Sequence, residues 1–244
     1  MSQIPVPVNP SIAPLRNVAL LTELVHRVVS RSPALPGMAT FHGPSGYGKS
    51  CAVFYATNKH RAYTVQLGES WTKKYFCLQV AREMGIVAAR STPEIIAQIG
   101  DQLAASHRPL LIDEADFLVS RNMVETVREI YERCHGSIIL IGEEGLPHAL
   151  KKWERVHGRM IDWVGAQPAT VADAYHLARI HAHGIEIAED LMTALHEDSK
   201  GSARRVCVNL DRVAEEARAQ GKAVMTRADY GRDFFTGAPP SRRG

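Results

Sequence analysis

Cysteine is scarce and nowhere paired. The four present, Cys51, Cys77, Cys134 and Cys207, lie far apart and form no C-x-x-C motif. That spacing offers neither a zinc site nor a disulfide framework, so the expected home is a reducing cytoplasm. Long apolar runs are missing too. None approaches the roughly 20 residues that a membrane helix needs, so no membrane partner is expected. Residues Met1 to Pro14 lack the apolar centre of a secretion signal. Charge of one sign is also in short supply. Lys and Arg number 29 against 26 Asp and Glu, a surplus of +3, so affinity for a polyanion must come from local clusters. A histidine metal site is not expected either. His176 and His183 share a helix face, but His181 does not, and no acid or cysteine completes a ligand set. No internal repeat and no base-reading module is visible.

What is present is an ordinary globular composition, 45% hydrophobic and 23% charged. The strongest local pattern is Gly43-Pro44-Ser45-Gly46-Tyr47-Gly48-Lys49-Ser50, followed by Cys51. It fits G-x-x-x-x-G-K-[ST], with the apolar run Met38–His42 before it and a helix-compatible run, Cys51–Ala56, after it. The glycines let the backbone N–H groups of Gly43, Ser45, Gly46, Tyr47, Gly48, Lys49, Ser50 and Cys51 face a phosphate chain, and the following helix turns its positive end toward the same anion. Lys49 is expected to reach the β- and γ-phosphates and Ser50 to ligate Mg²⁺, so the motif predicts a nucleoside triphosphate, ATP, as ligand.

The rest of the chain alternates. Val18, Leu21, Val25 and Val28 recur at helical spacing before Ser32-Pro33. Strands are predicted at 38–42, 62–67, 109–114, 137–142 and 160–164, with helices at 71–84, from Thr92 as an N-cap, at 124–131 and at 146–156. Strands alternating with helices imply an α/β parallel sheet with helices on both faces. Beyond Pro168 only helices are predicted, over 169–181, 188–197 and 202–220. The expected divisions are an extended N-terminal arm over 1–16, a nucleotide-binding α/β domain over 17–166, a small helical lid over 167–236 and a disordered tail over 237–244.

Asp113-Glu114 closes the third apolar strand. Asp113 is expected to hold Mg²⁺, and Glu114 to act as general base on the attacking water. Asp116 is expected to cap the following helix.

At this point the chain resembles the AAA+ P-loop ATPases, over roughly residues 17–220. The resemblance implies that an arginine before the fifth strand reaches a neighbouring subunit's nucleotide. Arg159 occupies that place, with Arg155 as the alternative. In Gly201-Ser202-Ala203-Arg204-Arg205 it implies a second sensor, Arg204, with Arg205 as the competing choice. One position departs from the pattern: Glu143-Glu144 follows the fourth strand, where the family carries Asn, Ser or Thr. A carboxylate there would repel the charge it should stabilise, so turnover is expected to be slow or stimulated by DNA or a partner.

Tyr55-Ala56…Asn58 and Ser70-Trp71-Thr72-Lys73-Lys74 resemble one branch of the family, the transposition ATPases typified by the Mu-phage B protein. That resemblance implies an ATP-dependent homo-oligomer, ring or helical filament, on duplex DNA, target selection, and activation of a transposase. Lys73, Lys74, Lys151 and Lys152 are the candidate DNA contacts, and such phosphate contacts are sequence-nonspecific and salt-sensitive. The alternatives are an initiator or helicase-loader ATPase, and a nucleotide-gated scaffold with little turnover.

Overall fold

The computed structural model describes residues 15–238. The expected arm and tail therefore lie outside the described residues, except for 15–16 and 237–238. Leu15 is buried, and Arg16 already opens the first helix.

The chain divides into two compact units. The first consists of residues 17–44 and 49–166. In chain order it holds α1 (Arg16–Val29), β1 (Met38–His42), α2 (Lys49–His60), β2 (Tyr63–Gln66), α3 (Lys73–Glu83), α4 (Thr92–Ser106), β3 (Leu110–Asp113), α5 (Asp116–Ser120), α6 (Val124–Cys134), β4 (Ile138–Gly142), α7 (Leu146–Leu150), α8 (Glu154–His157) and β5 (Met160–Gly165). The strands form one parallel sheet in the order β2-β3-β4-β1-β5. Parallel neighbours need helical crossovers, which is why the sequence alternates. The inner strands β3 and β4 are buried along their whole length, as an inner parallel strand covered on both faces must be. The edge strand β5 is half-buried throughout.

On one side of the sheet Phe76 and Val80 of α3, Ile95, Ile99 and Leu103 of α4, and Val127 and Ile130 of α6 form a continuous core with β2, β3 and β4. Emptying one such site, as in Ile99→Ala, would cost roughly 2–5 kcal/mol. Gly100 lets α4 approach α6 closely, since a Cβ there would lie 2.8 Å from the Arg133 side chain. The start of α4 differs from the expectation. The N-cap is Ser91, which accepts from Glu94 N, while the Glu94 side chain accepts from Ser91 N, and Thr92 is the first helical residue. The stretch 146–156 also differs. It is two short helices, α7 and α8, separated around Trp153.

The second unit consists of the described residues 15–16, 45–48 and 167–238. It holds α9 (Val171–His181), β6 (Glu186–Ile187), α10 (Glu189–Ser199), α11 (Ala203–Gln220), β7 (Val224–Met225) and α12 (Arg227–Tyr230). The expectation of helices alone is corrected here, because β6 and β7 form a parallel pair. Two residues per strand are too few to show an alternating pattern in sequence. Helix α9 opens with a capping box in which Thr170 and Asp173 satisfy each other's backbone N–H. Helix α11 starts at the N-cap Ser202 and stops at Gly221, whose φ of 65° closes the last turn.

Candidate active site

Strand β1 ends at His42, and the next residues turn sharply. Gly43 N donates to Gly142 O at 3.3 Å, tying the loop's entry to the end of β4. Gly46 and Gly48 sit at φ 84° and 83°, where a side chain would be strained. Helix α2 then begins at Lys49. The Lys49 ammonium donates to Gly43 O at 2.6 Å and Pro44 O at 3.0 Å, so it lies over its own loop. Ser50 Oγ donates to Asp113 Oδ2 at 3.4 Å, across 63 positions of sequence.

Asp113 ends β3 and is only 6% exposed. Its Oδ1 accepts from Glu114 N at 2.9 Å, and Glu114 takes the left-handed conformation at φ 55°. Burial pushes the Asp113 carboxyl above the usual carboxylate range, against the opposing pull of the Glu114 amide and Lys49. Glu114 is also raised, by burial first and then by Asp113 and Asp116. Lys49 is lowered by burial, although Glu114, Asp113, Asp116 and Glu143 all pull it up. The acid pair, the lysine and the hydroxyl thus share one electrostatic environment. A buried carboxylate beside a serine hydroxyl is the oxygen donor set that Mg²⁺ takes, and the ammonium beside them suits the phosphates that such an ion accompanies.

Residues 45–48, the crest of the loop, group with the second unit. There Gly46 O accepts from Arg204 N at 3.0 Å and from Ser202 Oγ at 3.5 Å. A Cβ on Gly46 would lie 2.7 Å from Ser202 Oγ, so the crest admits only glycine at that point. Ser45 is exposed and Tyr47 half-buried. Cys51 is half-buried, with its thiol pushed up by burial. The side chain of Arg204 is exposed. That of Arg205 is half-buried beside Gly237, where a Cβ would lie 3.1 Å from Arg205 Nε.

Arg159 lies elsewhere. Its carbonyl accepts from Met38 N at 3.0 Å, at the start of β1, and its Nε donates to Glu132 Oε1 at 2.7 Å. Five strand residues, about 17 Å, separate that level from Gly43. Arg159 and the P-loop therefore occupy opposite ends of the sheet. Arg155 is exposed on α8, and Lys151 and Lys152 are exposed between α7 and α8. Lys73 and Lys74 are exposed in the first turn of α3. Beside them Trp71 and Tyr75 stand edge to face with ring centroids 5.1 Å apart, and this aromatic pair escaped the reading of the lysines.

Asp116 is not a helix cap. The N-cap position of α5 is Ala115, and Asp116 Oδ2 instead accepts from Glu143 N at 2.7 Å. An acid one turn past a strand looks like a cap in sequence, because its partner 27 positions away is invisible there. The side chains of Glu143 and Glu144 are exposed.

Residues 34–150 match a family model described as an AAA domain. Comparison with curated proteins finds no match. Solved structures with a similar fold include Cdc6p from Pyrobaculum aerophilum, at TM-score 0.63 and 16% identity over 89% of this chain and 66% of that one. The ORC2 protein of Aeropyrum pernix in its ADP form gives 0.63 and 16% over 92% and 70%. The Aeropyrum pernix ORC1 protein in complex with DNA gives 0.62 and 17% over 93% and 66%. The chain thus spans about two thirds of the length of these structures. The fold is the parallel-sheet α/β P-loop fold of AAA+ proteins, and residues 34–150 are similar in sequence to the AAA domain.

Proposed function

We propose that this chain is an ATP-hydrolysing AAA+ protein of the replication-initiator or helicase-loader kind, acting on duplex DNA as an assembly of copies. The observation that carries the ATPase part is the convergence of Lys49 and Ser50, at the start of α2, with Asp113 and Glu114, at the end of β3, beside one loop. In this reading the loop amides and Lys49 bind the triphosphate, and Ser50 and Asp113 hold Mg²⁺. The ion, when bound, offsets charge on the β- and γ-phosphates. Glu114, whose carboxyl is held above the ordinary carboxylate range by burial and by Asp113, orients the attacking water and takes its proton.

Arg159 sits too far from its own loop to complete that site, which supports its service in the site of a second copy. The planar guanidinium suits the charge developing on a transferred phosphoryl group. Arg204 is the residue of the second unit proposed to touch nucleotide.

The DNA part draws on the fold neighbours, of which one is described in complex with DNA. Lys73 and Lys74, exposed with the Trp71 and Tyr75 rings beside them, and Lys151 and Lys152 are the proposed phosphate contacts. The neighbours favour an initiator or loader role over target selection for a transposase, which rests on the motifs Tyr55-Ala56…Asn58 and Ser70–Lys74 alone.

The deciding experiment is co-sedimentation with random duplex DNA at low salt, with ATP, ADP or no nucleotide, alongside phosphate release. ATP-dependent binding with turnover supports the reading. Turnover without any DNA association would remove the DNA part, and failure to bind ATP would remove all of it. Added purified replicative helicase or transposase then separates the two roles by which one stimulates hydrolysis.

A further inference from the structure

One main-chain hydrogen bond, one bond from a main-chain amide to a side chain and one tight approach join the end of β3 to the end of β4. Ala115 N donates to Ile141 O at 2.8 Å, just past the acid pair. One residue on, the Asp116 carboxylate accepts from Glu143 N at 2.7 Å. Gly142 lies between these links, and a Cβ there would run into the Asp116 carboxylate and come within 2.7 Å of Leu146 Cδ2. Gly142 has no positive φ, so space rather than backbone conformation demands the glycine. Asp116 is half-buried and reaches no atom of Ser50 or Asp113 by hydrogen bond, yet its charge bears on both Lys49 and Glu114.

We propose that Asp116 is a positioning residue that ties the turn after β4 to the acidic end of β3, so that Glu114 and the Glu143 turn are held in one fixed arrangement on the hydrolytic side of the P-loop. The proposal rests on the ATPase reading above and adds a member to that site. A charged carboxylate is a stronger acceptor for an amide than a neutral group, which suits a tie that must hold a turn in place. Because the groups that grip nucleotide, Lys49, Ser50 and Asp113, are bonded independently of it, the tie should govern turnover and leave nucleotide affinity alone.

The test uses the full chain with Asp116→Ala, Asp116→Asn and Gly142→Ala. Three readouts are needed: nucleotide Kd, kcat, and hydrogen exchange of the amides at 142–145. Asp116→Ala should lower kcat about 10- to 100-fold, the penalty of a small misplacement of reacting groups. Its Kd should stay within about twofold, a change well under 1.4 kcal/mol by the tenfold conversion, and the protection of the Glu143 amide should be lost. Asp116→Asn keeps an acceptor oxygen, though a weaker one, and should recover most of kcat and protection, whereas a purely electrostatic effect of Asp116 on Lys49 and Glu114 would be lost in Asn as fully as in Ala. Gly142→Ala should reproduce the loss with Asp116 intact. Unchanged kcat in Asp116→Ala overturns the proposal, and so does a parallel loss of Kd and kcat. If wild-type protein binds ATP but never turns it over, the ATPase reading fails, and exchange alone decides the tie. Protection lost in Asp116→Ala and kept in Asp116→Asn upholds it, and protection unchanged in Asp116→Ala overturns it.

Discussion

Arg159 and Glu132 form an ion pair, Nε to Oε1 at 2.7 Å, at the end of the sheet where the strands begin. The side chains remain 40% and 33% exposed, so the pair belongs to the class of surface bridges worth about 0–1 kcal/mol. Its small stabilising effect sharpens the first prediction.

Arg159→Ala should leave thermal stability nearly unchanged while reducing assembly-dependent ATP turnover by about 10³-fold, the scale of a lost arginine finger. Mixing it with Lys49→Ala subunits, which carry an intact Arg159 and a dead loop, should restore part of the activity. Titrating one variant into the other and measuring phosphate release checks this. Mixtures that stay inactive would show that Arg159 serves no shared site.

Glu114→Gln should bind ATP with unaltered affinity yet lose turnover by about 10²–10⁴-fold, the usual contribution of a positioned general base. Fluorescent-nucleotide titration and phosphate release separate the two quantities. Turnover at the wild-type rate would remove Glu114 as the base.

Asp113 gives a prediction about pH. Burial raises its carboxyl above the ordinary 3.8, so the folded chain holds that proton to higher pH than the unfolded chain does. Native protein then binds more protons than unfolded protein through that window, and stability falls as pH rises from the ordinary value through the folded one. At pH 7 the ionised group opposes folding. Asp113→Asn should therefore raise Tm at pH 7 without Mg²⁺, and the gain should shrink as pH is lowered toward 4. With Mg²⁺ and ATP the order should reverse, because ligand binding stabilises only the wild type. Melting curves at several pH values, with and without Mg²⁺ and ATP, check each part.

Much of the site was legible because its residues are neighbours in sequence or end an apolar run. Gly43 to Ser50 carry their geometry in a local pattern, and Asp113-Glu114 end a strand whose burial shows as four apolar or turn-bounded positions. The sheet was legible for the same reason, since inner parallel strands read as unbroken apolar runs. What escaped depends on partners distant along the chain. The Asp116 carboxylate meets an amide 27 positions away. Strands β6 and β7 are defined only by each other, 38 positions apart at Glu186 and Val224. Ser91 and Thr92 are both good caps, and only the reciprocal bond with Glu94 chooses between them.

Asn209 is another residue whose role only the fold reveals. It is fully buried on α11, and its side chain meets both backbone groups of Phe235, with Phe235 N donating to Oδ1 at 2.7 Å and Nδ2 donating to Phe235 O at 3.1 Å. One amide thus fastens the segment after α12, where Phe234 stacks on Tyr230 at 5.2 Å and Arg212 lies over the Phe235 ring at 5.2 Å. Asn209→Ala would leave two part-buried backbone groups without partners and a small void, a loss of about 2–3 kcal/mol. Asn209→Asp keeps the acceptor for Phe235 N but loses the donor and buries a charge, so it should destabilise at least as much at pH 7 and less at pH 4. Urea unfolding measures the loss. Limited proteolysis adds the local test: new cleavage within 231–238 should appear in both variants before the rest of the chain is cut, and a cleavage pattern identical to wild type would show that the segment is held by its aromatic contacts alone.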